Sequence, residues 1–466
     1  MDAPSDPRLV DLDVIAAALA AGQRGGGAWT EVFVEHRDSR TTRLDSGVVE
    51  VRTDRDLGAA VRVGRSGREG RASTTVLTRE ALTGAAQVAA GVLRHPPGSA
   101  PAELTEHAGA PVNSPRRGHG DGDTAERADL VRRVADGARV GKEIRSVSVT
   151  LVEVTQHVLV ATTDGDVRRD TRVRTRVTCR VVARSADGTA TGFEGPGIGG
   201  GLELFDDREP ESVGAAAAAQ AVRKLTSRAA PGGPLPVVLS AGGGGMLMHE
   251  ACGHGLEADG VVRRTSVYAA SQGHRVAGQH VTLVDDPTWA GGFGSYAIDD
   301  EGRPAAPGVL IDRGVQVAAL TDRNHAALLG RPGTANGRRE SAAHPPLCRM
   351  SNTYLAPGTA TTSDVLGTVD RGVYITQLSG GEVDTTTGDF TFTAAEARLI
   401  ERGELTDSLS GVTLLGSGPA ALAGIGPIAD DLSFAQAMCG NDGQWVPVSY
   451  GSPTMRIDGL TIAGTR

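Results

Sequence analysis

The chain runs to 466 residues, long enough that two domains are the natural expectation, and it is 39 % hydrophobic with only 3 % aromatic residues. Its 64 glycines follow no G-X-Y period, which excludes a collagen-like fibre, and a formal net charge of −9 argues against a nucleic-acid surface built on Lys and Arg. No secretory signal pattern opens the chain, no apolar run reaches about 18 residues, and the four cysteines form no CxxC pair, which points to a reducing cytoplasm and no membrane partner.

Residues 9–23 carry the apolar spacing of an amphipathic helix ended by glycine. Short alternating runs at 31–35, 48–52 and 59–63, parted by Asp, Ser and Gly, predict an antiparallel meander. Helices are expected at 78–94 and 124–141, separated by a Pro/Gly/His/Asp-rich surface loop over 95–123. Long strands follow at 144–162 and 166–185, where the alternation Arg172-Val-Arg-Thr-Arg-Val reads as a solvated sheet face. An Ala-rich helix covers 211–228, and Pro231-Gly-Gly-Pro marks the domain boundary. Beyond it come a short apolar strand from Leu235 and the run Gly242-Gly-Gly-Gly. That run lacks the Lys-Ser/Thr of a phosphate loop and reads as a turn, or as room for a neighbouring backbone. Residues 260–466 read as strand and turn. The fold expected is α+β. An N-terminal antiparallel sheet with helices occupies 1–230, and a mainly-β domain carrying the histidine-bearing helix occupies 231–466.

The chemistry concentrates in His249-Glu-Ala-Cys-Gly-His-Gly-Leu-Glu-Ala-Asp. Two neutral imidazoles, from His249 and His254, suit a borderline-soft metal such as zinc, and Glu250 stands where a general base would take a proton from water. The spacing is five rather than the four that puts both rings on one helical face. On a regular helix the two would diverge by roughly 140°. They converge only through a distortion such as a π-bulge or an early helix end, which Gly253 and Gly255 would ease. A catalytic zinc usually has a third protein ligand, and His274, His280, His325, His344, Cys348, Cys439, Glu257 and Asp259 are all candidates that spacing alone does not separate. Glu257 serves equally well as an acceptor fixing an imidazole, and Cys252 reads as packing.

This run resembles the HExxxHxxExD signature of the TldD/PmbA metallopeptidase family, on its TldD (catalytic) side. Further segments are similar to that family: Ser295-Tyr-Ala-Ile-Asp-Asp-Glu-Gly-Arg-Pro, Asn336-Gly-Arg-Arg-Glu-Ser, Arg349-Met-Ser-Asn-Thr-Tyr, Gly380-Gly-Glu-Val-Asp, and Met438-Cys-Gly-Asn-Asp-Gly-Gln-Trp. The resemblance implies zinc held by His249, His254 and Cys439, Glu250 as catalytic base, and Glu257 and Asp259 as residues behind the ligands. Arg338, Arg339 and Tyr296, polar residues in family-like segments, read as structural rather than as oxyanion donors. The family also implies a zinc peptidase acting on extended or unfolded peptides, by leader-peptide trimming or degradation of labile small proteins. It would work as a heterodimer with a PmbA/TldE-like partner subunit. The Gly380 strand is the expected edge for an added peptide strand. Two other readings stay open: a zinc-dependent tailoring hydrolase on peptide-like metabolites, and a non-catalytic modulator acting by binding.

Overall fold

The computed structural model describes residues 9–464, apart from residues 66, 94, 108, 110, 119–122 and 187. The run Met1 to Pro7, read for a signal, lies outside them.

The alternating runs form an antiparallel ribbon of β1 (Trp29–Asp45), β2 (Val48–Arg65) and β3 (Arg68–Thr74). Ser46 and Gly47 join β1 to β2 with φ of 50° and 83°, a two-residue turn whose twist matches that of the strands. Two of the expected short strands are one. β2 continues through Asp54–Asp56 because cross-strand ion pairs, Arg37–Asp56 at 2.7 Å and Arg55–Asp38 at 2.7 Å, hold its exposed middle.

The expected loop contains a three-residue strand, β4 (Thr105–His107), which lies parallel to residues Asp166–Arg168. The hairpin β5 (Ile144–Thr162) and β6 (Asp166–Arg184) completes a sheet of order β3-β2-β1-β5-β6-β4, with β7 (Thr189–Glu194) beside the end of β6. Helices α1 (Leu12–Arg24) and α2 (Arg79–Ala90) bury Ile15, Leu19 and Leu82 against Val32 and Val61. Helices α3 (Thr124–Ala138) and α4 (Pro210–Leu225) bury Val131, Val134 and Val213 against Leu151 and Val177. Each pair turns one apolar stripe onto the sheet, as the 3.6-residue period requires.

After Pro231 the described residues supply nine strands of a ten-stranded sheet, whose tenth is Arg228–Ala229, together with a six-stranded sheet and the short pair Gly337–Arg338 and Leu347–Cys348. The histidine-bearing segment lies in their shared core, where Leu247, Met248, Cys252 and Leu256 pack with Met350, Ile375, Leu399 and Met455. Beyond residue 260 no helix among the described residues exceeds seven residues, in keeping with the strand-and-turn expectation.

The arginine ladder corrects the sequence reading. Arg172 and Arg174 are 6 % and 5 % exposed and face the C-terminal half. Arg172 pairs with Asp170 at 2.9 Å and Asp300 at 2.7 Å, while Arg174 donates to the Phe293 carbonyl at 2.8 Å. Arg339 crosses the other way to Glu31 at 2.8 Å, and Arg62 reaches Glu301 at 2.6 Å. Alternation reports that the arginines share a face; it says nothing about what covers that face. Here residues of the C-terminal half do, and the buried charges are tolerated because Arg172 is ion-paired and Arg174 is hydrogen-bonded to carbonyl oxygens.

Candidate metal centre

Strand Val237–Leu239 leads through the glycine run into the helix Gly245–Met248. A Cβ on Gly243 would lie 2.3 Å from the Thr376 carbonyl oxygen, and one on Gly245 would lie 2.7 Å from the Gly451 nitrogen. The glycines therefore admit two neighbouring backbones beside the site. The helix then changes pitch. Residues His249–Gly253 form a π turn in which the His254 N–H bonds the His249 carbonyl, and His254–Leu256 tightens into a 3₁₀ turn. An i→i+5 turn puts residues five apart on one face, so the His249 and His254 rings meet with centroids 5.1 Å apart. The distortion demanded by the spacing is present, in both of its expected forms.

Cys439 reaches this pair from strand Ser433–Asn441. Its Sγ lies 3.1 Å from His249 Nε2 and 3.3 Å from His254 Nε2. Burial alone would raise the Cys439 pKa, but the two histidines overcome it and bring the thiol down to about 3. Burial likewise opposes charge on His254, yet Glu257 and Cys439 hold its pKa well above the ordinary value. The three donor atoms converge, and once His254 gives up its proton the thiolate and two imidazoles make an electron-rich set that suits a divalent cation of the zinc class. His254 Nδ1 faces Glu257 Oε2 at 3.0 Å, the arrangement that leaves Nε2 for a metal. Asn441 donates to the same oxygen at 3.2 Å. His249 Nδ1, by contrast, is buried with no hydrogen-bond partner among the described residues. Glu250 Oε2 lies 3.6 Å from His254 Nε2, and its side chain is 34 % exposed, open to an arriving molecule.

The remaining candidates fall elsewhere. His280 bonds the Ile425 carbonyl at 2.9 Å, and His344 bonds Ser341 Oγ at 2.9 Å. His274 lies beside the Gln272 carbonyl at 3.1 Å. His325 and Cys348 gather with Asp322 in a separate cluster, toward which the charge of Asp259 is directed. Cys252 is packed under Tyr268 and stays a thiol. Tyr296 donates to the Ala335 carbonyl, and Arg338 to the Met350 and Pro447 carbonyls; with Arg339 these are structural bonds.

Sequence reasoning missed two neighbours. Arg349, fully buried, donates to the Cys439 carbonyl at 2.6 Å and so anchors the thiolate strand. The Tyr450 ring stands 6.0 Å from that of His249 and is half-buried, with its hydroxyl pKa raised to about 12 by burial. Only the pairing of strands Asn352–Leu355 and Gln444–Ser452 brings them in. A cleft of about 920 Å³ runs past Tyr450 and Met246, one helical turn before Glu250. Gln377–Ser379 line it on one side and Ser433–Ala437 on the other.

Comparison with known proteins agrees with this architecture. Residues 30–92, 120–225 and 232–464 match domain 1, the central domain and the C-terminal domain of the PmbA/TldA metallopeptidases. A metalloprotease TldD homolog from Haemophilus influenzae is 38 % identical over 329 residues, covering 69 % of this chain and 68 % of the relative. A metalloprotease from Methanothermobacter thermautotrophicus is 32 % identical over 436 residues, covering 92 % and 94 %. A Thermotoga maritima structure described as a modulator of a DNA gyrase shares the fold, with a TM-score of 0.81 at 20 % identity, over 97 % of this chain and 100 % of the other. With its three domains matched in order, the chain belongs to the PmbA/TldD family of metallopeptidases.

Proposed function

We propose that the chain is a zinc-dependent peptidase in which His249, His254 and Cys439 hold the metal and Glu250 is the catalytic base. The observation that carries this reading is the convergence of two Nε2 atoms and one thiolate beside a half-open carboxylate. Bound zinc would polarise the scissile carbonyl and acidify the attacking water. The chain's own residues do the rest. Glu250 accepts the proton of the attacking water on its carboxylate and returns it to the leaving amine. Glu257 holds His254 in one tautomer and orientation, and Arg349 fixes the strand that presents Cys439.

The substrates proposed are extended or unfolded peptides, as in leader-peptide trimming or the degradation of labile small proteins. The cleft favours them because it is bounded by strand backbone on both sides: Gln377–Ser379, just before the Gly380 edge, and Ser433–Ala437. The strand Arg371–Val383 is paired with Val237–Leu239 only at 373–375, so its later edge is free of strand partners among the described residues. An extended peptide can add there through main-chain hydrogen bonds. The boundary at Pro231 and a PmbA/TldE-like partner subunit belong to the same reading. A purely binding modulator has no use for a base beside a thiolate cluster. The test is metal analysis with cleavage of unfolded peptides, with and without a co-expressed partner. Metal-independent cleavage, or none under either condition, overturns the proposal.

A further inference from the structure

Asp322, His325 and Cys348 lie outside the centre just described, and their donor atoms all fall within 4.8 Å of one another. Asp322 begins the short helix Arg323–Leu329, and its Oδ1 accepts the His325 backbone N–H at 2.7 Å. Both of its carboxylate oxygens lie 2.9 Å from His325 Nδ1. Cys348, on the two-residue strand Leu347–Cys348, places Sγ 3.6 Å from the same nitrogen and accepts the Asp322 N–H at 3.2 Å. Asp322 and Cys348 are 6 % and 2 % exposed.

Three side-chain types that share one neighbourhood invite two functional readings, a nucleophilic triad or a metal site. Geometry decides between them. A relay needs the carboxylate on one ring nitrogen and the nucleophile on the other. Here carboxylate and thiol both face Nδ1, so no proton can pass through the ring from one to the other. The Cys348 thiol is moreover pushed well up, by burial first and then by the charge of Asp322, the reverse of an activated nucleophile. Convergence on one point is what a metal requires. At tetrahedral zinc, with a sulfur at about 2.3 Å and a nitrogen at about 2.05 Å, the S···N edge is about 3.6 Å. The observed Sγ···Nδ1 separation is 3.6 Å, and a carboxylate oxygen needs to retreat from Nδ1 by only about 0.4 Å to match the N···O edge of the same tetrahedron.

We propose that Asp322, His325 and Cys348 form a second binding site, for a divalent cation of the zinc class, with a structural role. Its place in the fold gives the role. Cys348 immediately precedes Arg349, the residue that holds the Cys439 carbonyl. On its other flank the helix Arg323–Leu329 packs on Ala258–Arg263, which follows Glu257 directly. An ion here would tie together the two segments that position the first centre, without touching that centre.

The test is the metal content of the full chain, stripped with a chelator and repleted with zinc. Two equivalents are expected in the wild type, one in Cys348→Ser and one in Cys439→Ser. Loss of the wild type's only equivalent in Cys348→Ser also supports this site and would sink the first centre instead. His325→Gln, which leaves the Asp322 cap in place, carries the test if Cys348→Ser fails to fold. Cobalt in Cys439→Ser should keep a thiolate charge-transfer band that disappears when Cys348→Ser is added. A single equivalent lost wholly in Cys439→Ser overturns the second site. So does a second equivalent that survives both Cys348→Ser and His325→Gln.

Discussion

Two clusters in one domain use the same chemistry differently. At His249, His254 and Cys439 the thiol is ionised, one imidazole is braced by a buried glutamate, and a carboxylate stands open beside the donors. At Asp322, His325 and Cys348 the thiol is held protonated, the carboxylate is itself one of the donors, and among the described residues no fourth acid–base side chain is hydrogen-bonded to the cluster. The lesson is that donors alone do not make a catalytic centre. What separates the two is a half-exposed carboxylate that stands beside the donors of the first, with a cleft running past Met246 and Tyr450 next to it.

The sharpest way to break the comparison is Glu250→Gln. Peptide turnover should fall by about 10²- to 10⁴-fold while zinc content stays at the wild-type value. Native turnover in that variant would remove the asymmetry between the clusters. Next in size is Glu257→Gln, which takes the acceptor from His254 Nδ1. Zinc affinity at the first centre should drop about 10- to 100-fold, read by competition with a chromophoric chelator, with the Cys348 site unaffected.

Acid should separate the two clusters as well. At the first, Cys439 with a pKa of about 3 has no proton to yield near neutrality, whereas His254, raised well above its ordinary value, has one. Protons compete with the metal below a ligand's metal-free pKa, so affinity there should fall about tenfold per pH unit as pH drops. At the second, Cys348 and His325 both carry raised values, Cys348 well above the ordinary thiol value, so the fall with dropping pH should be the steeper of the two. Zinc retention against a chelator across pH 6–8 (roughly neutral) reads both slopes; equal slopes contradict the assignment of charge states. The smallest effect is expected from Asn441→Ala. Losing the bond to Glu257 should cost about 1 kcal/mol, or roughly fivefold in zinc affinity, at the first centre alone.

Much of the first centre was legible because its information is local. Five-residue spacing between His249 and His254, with glycines at 253 and 255, already demanded a change of helical pitch, and the π turn supplies it. Cys439 was different. Its place came from resemblance, since nothing in a sequence separation of 185 residues fixes which strand passes over His254. The second cluster was illegible for the same reason: Asp322 and Cys348 meet only because a helix and a two-residue strand pack on each other. Arg172 and Arg174 mark the limit of periodicity, which assigned their shared face correctly and its environment wrongly.

By itself the sequence determined the α+β layout, the long antiparallel hairpins, the helices over the N-terminal sheet, and the distorted histidine turn. All of these follow from periods of 2 and 3.6 residues and from local breaks in them. Tertiary structure alone decided that the arginine face is buried against Asp300 and the Phe293 carbonyl. It also decided that Arg349 and Tyr450 stand at the candidate metal centre, and that a second set of donors gathers elsewhere in the same half of the chain. Those outcomes depend on pairings between segments far apart in the chain, where packing and charge compensation, rather than local propensity, choose the neighbour.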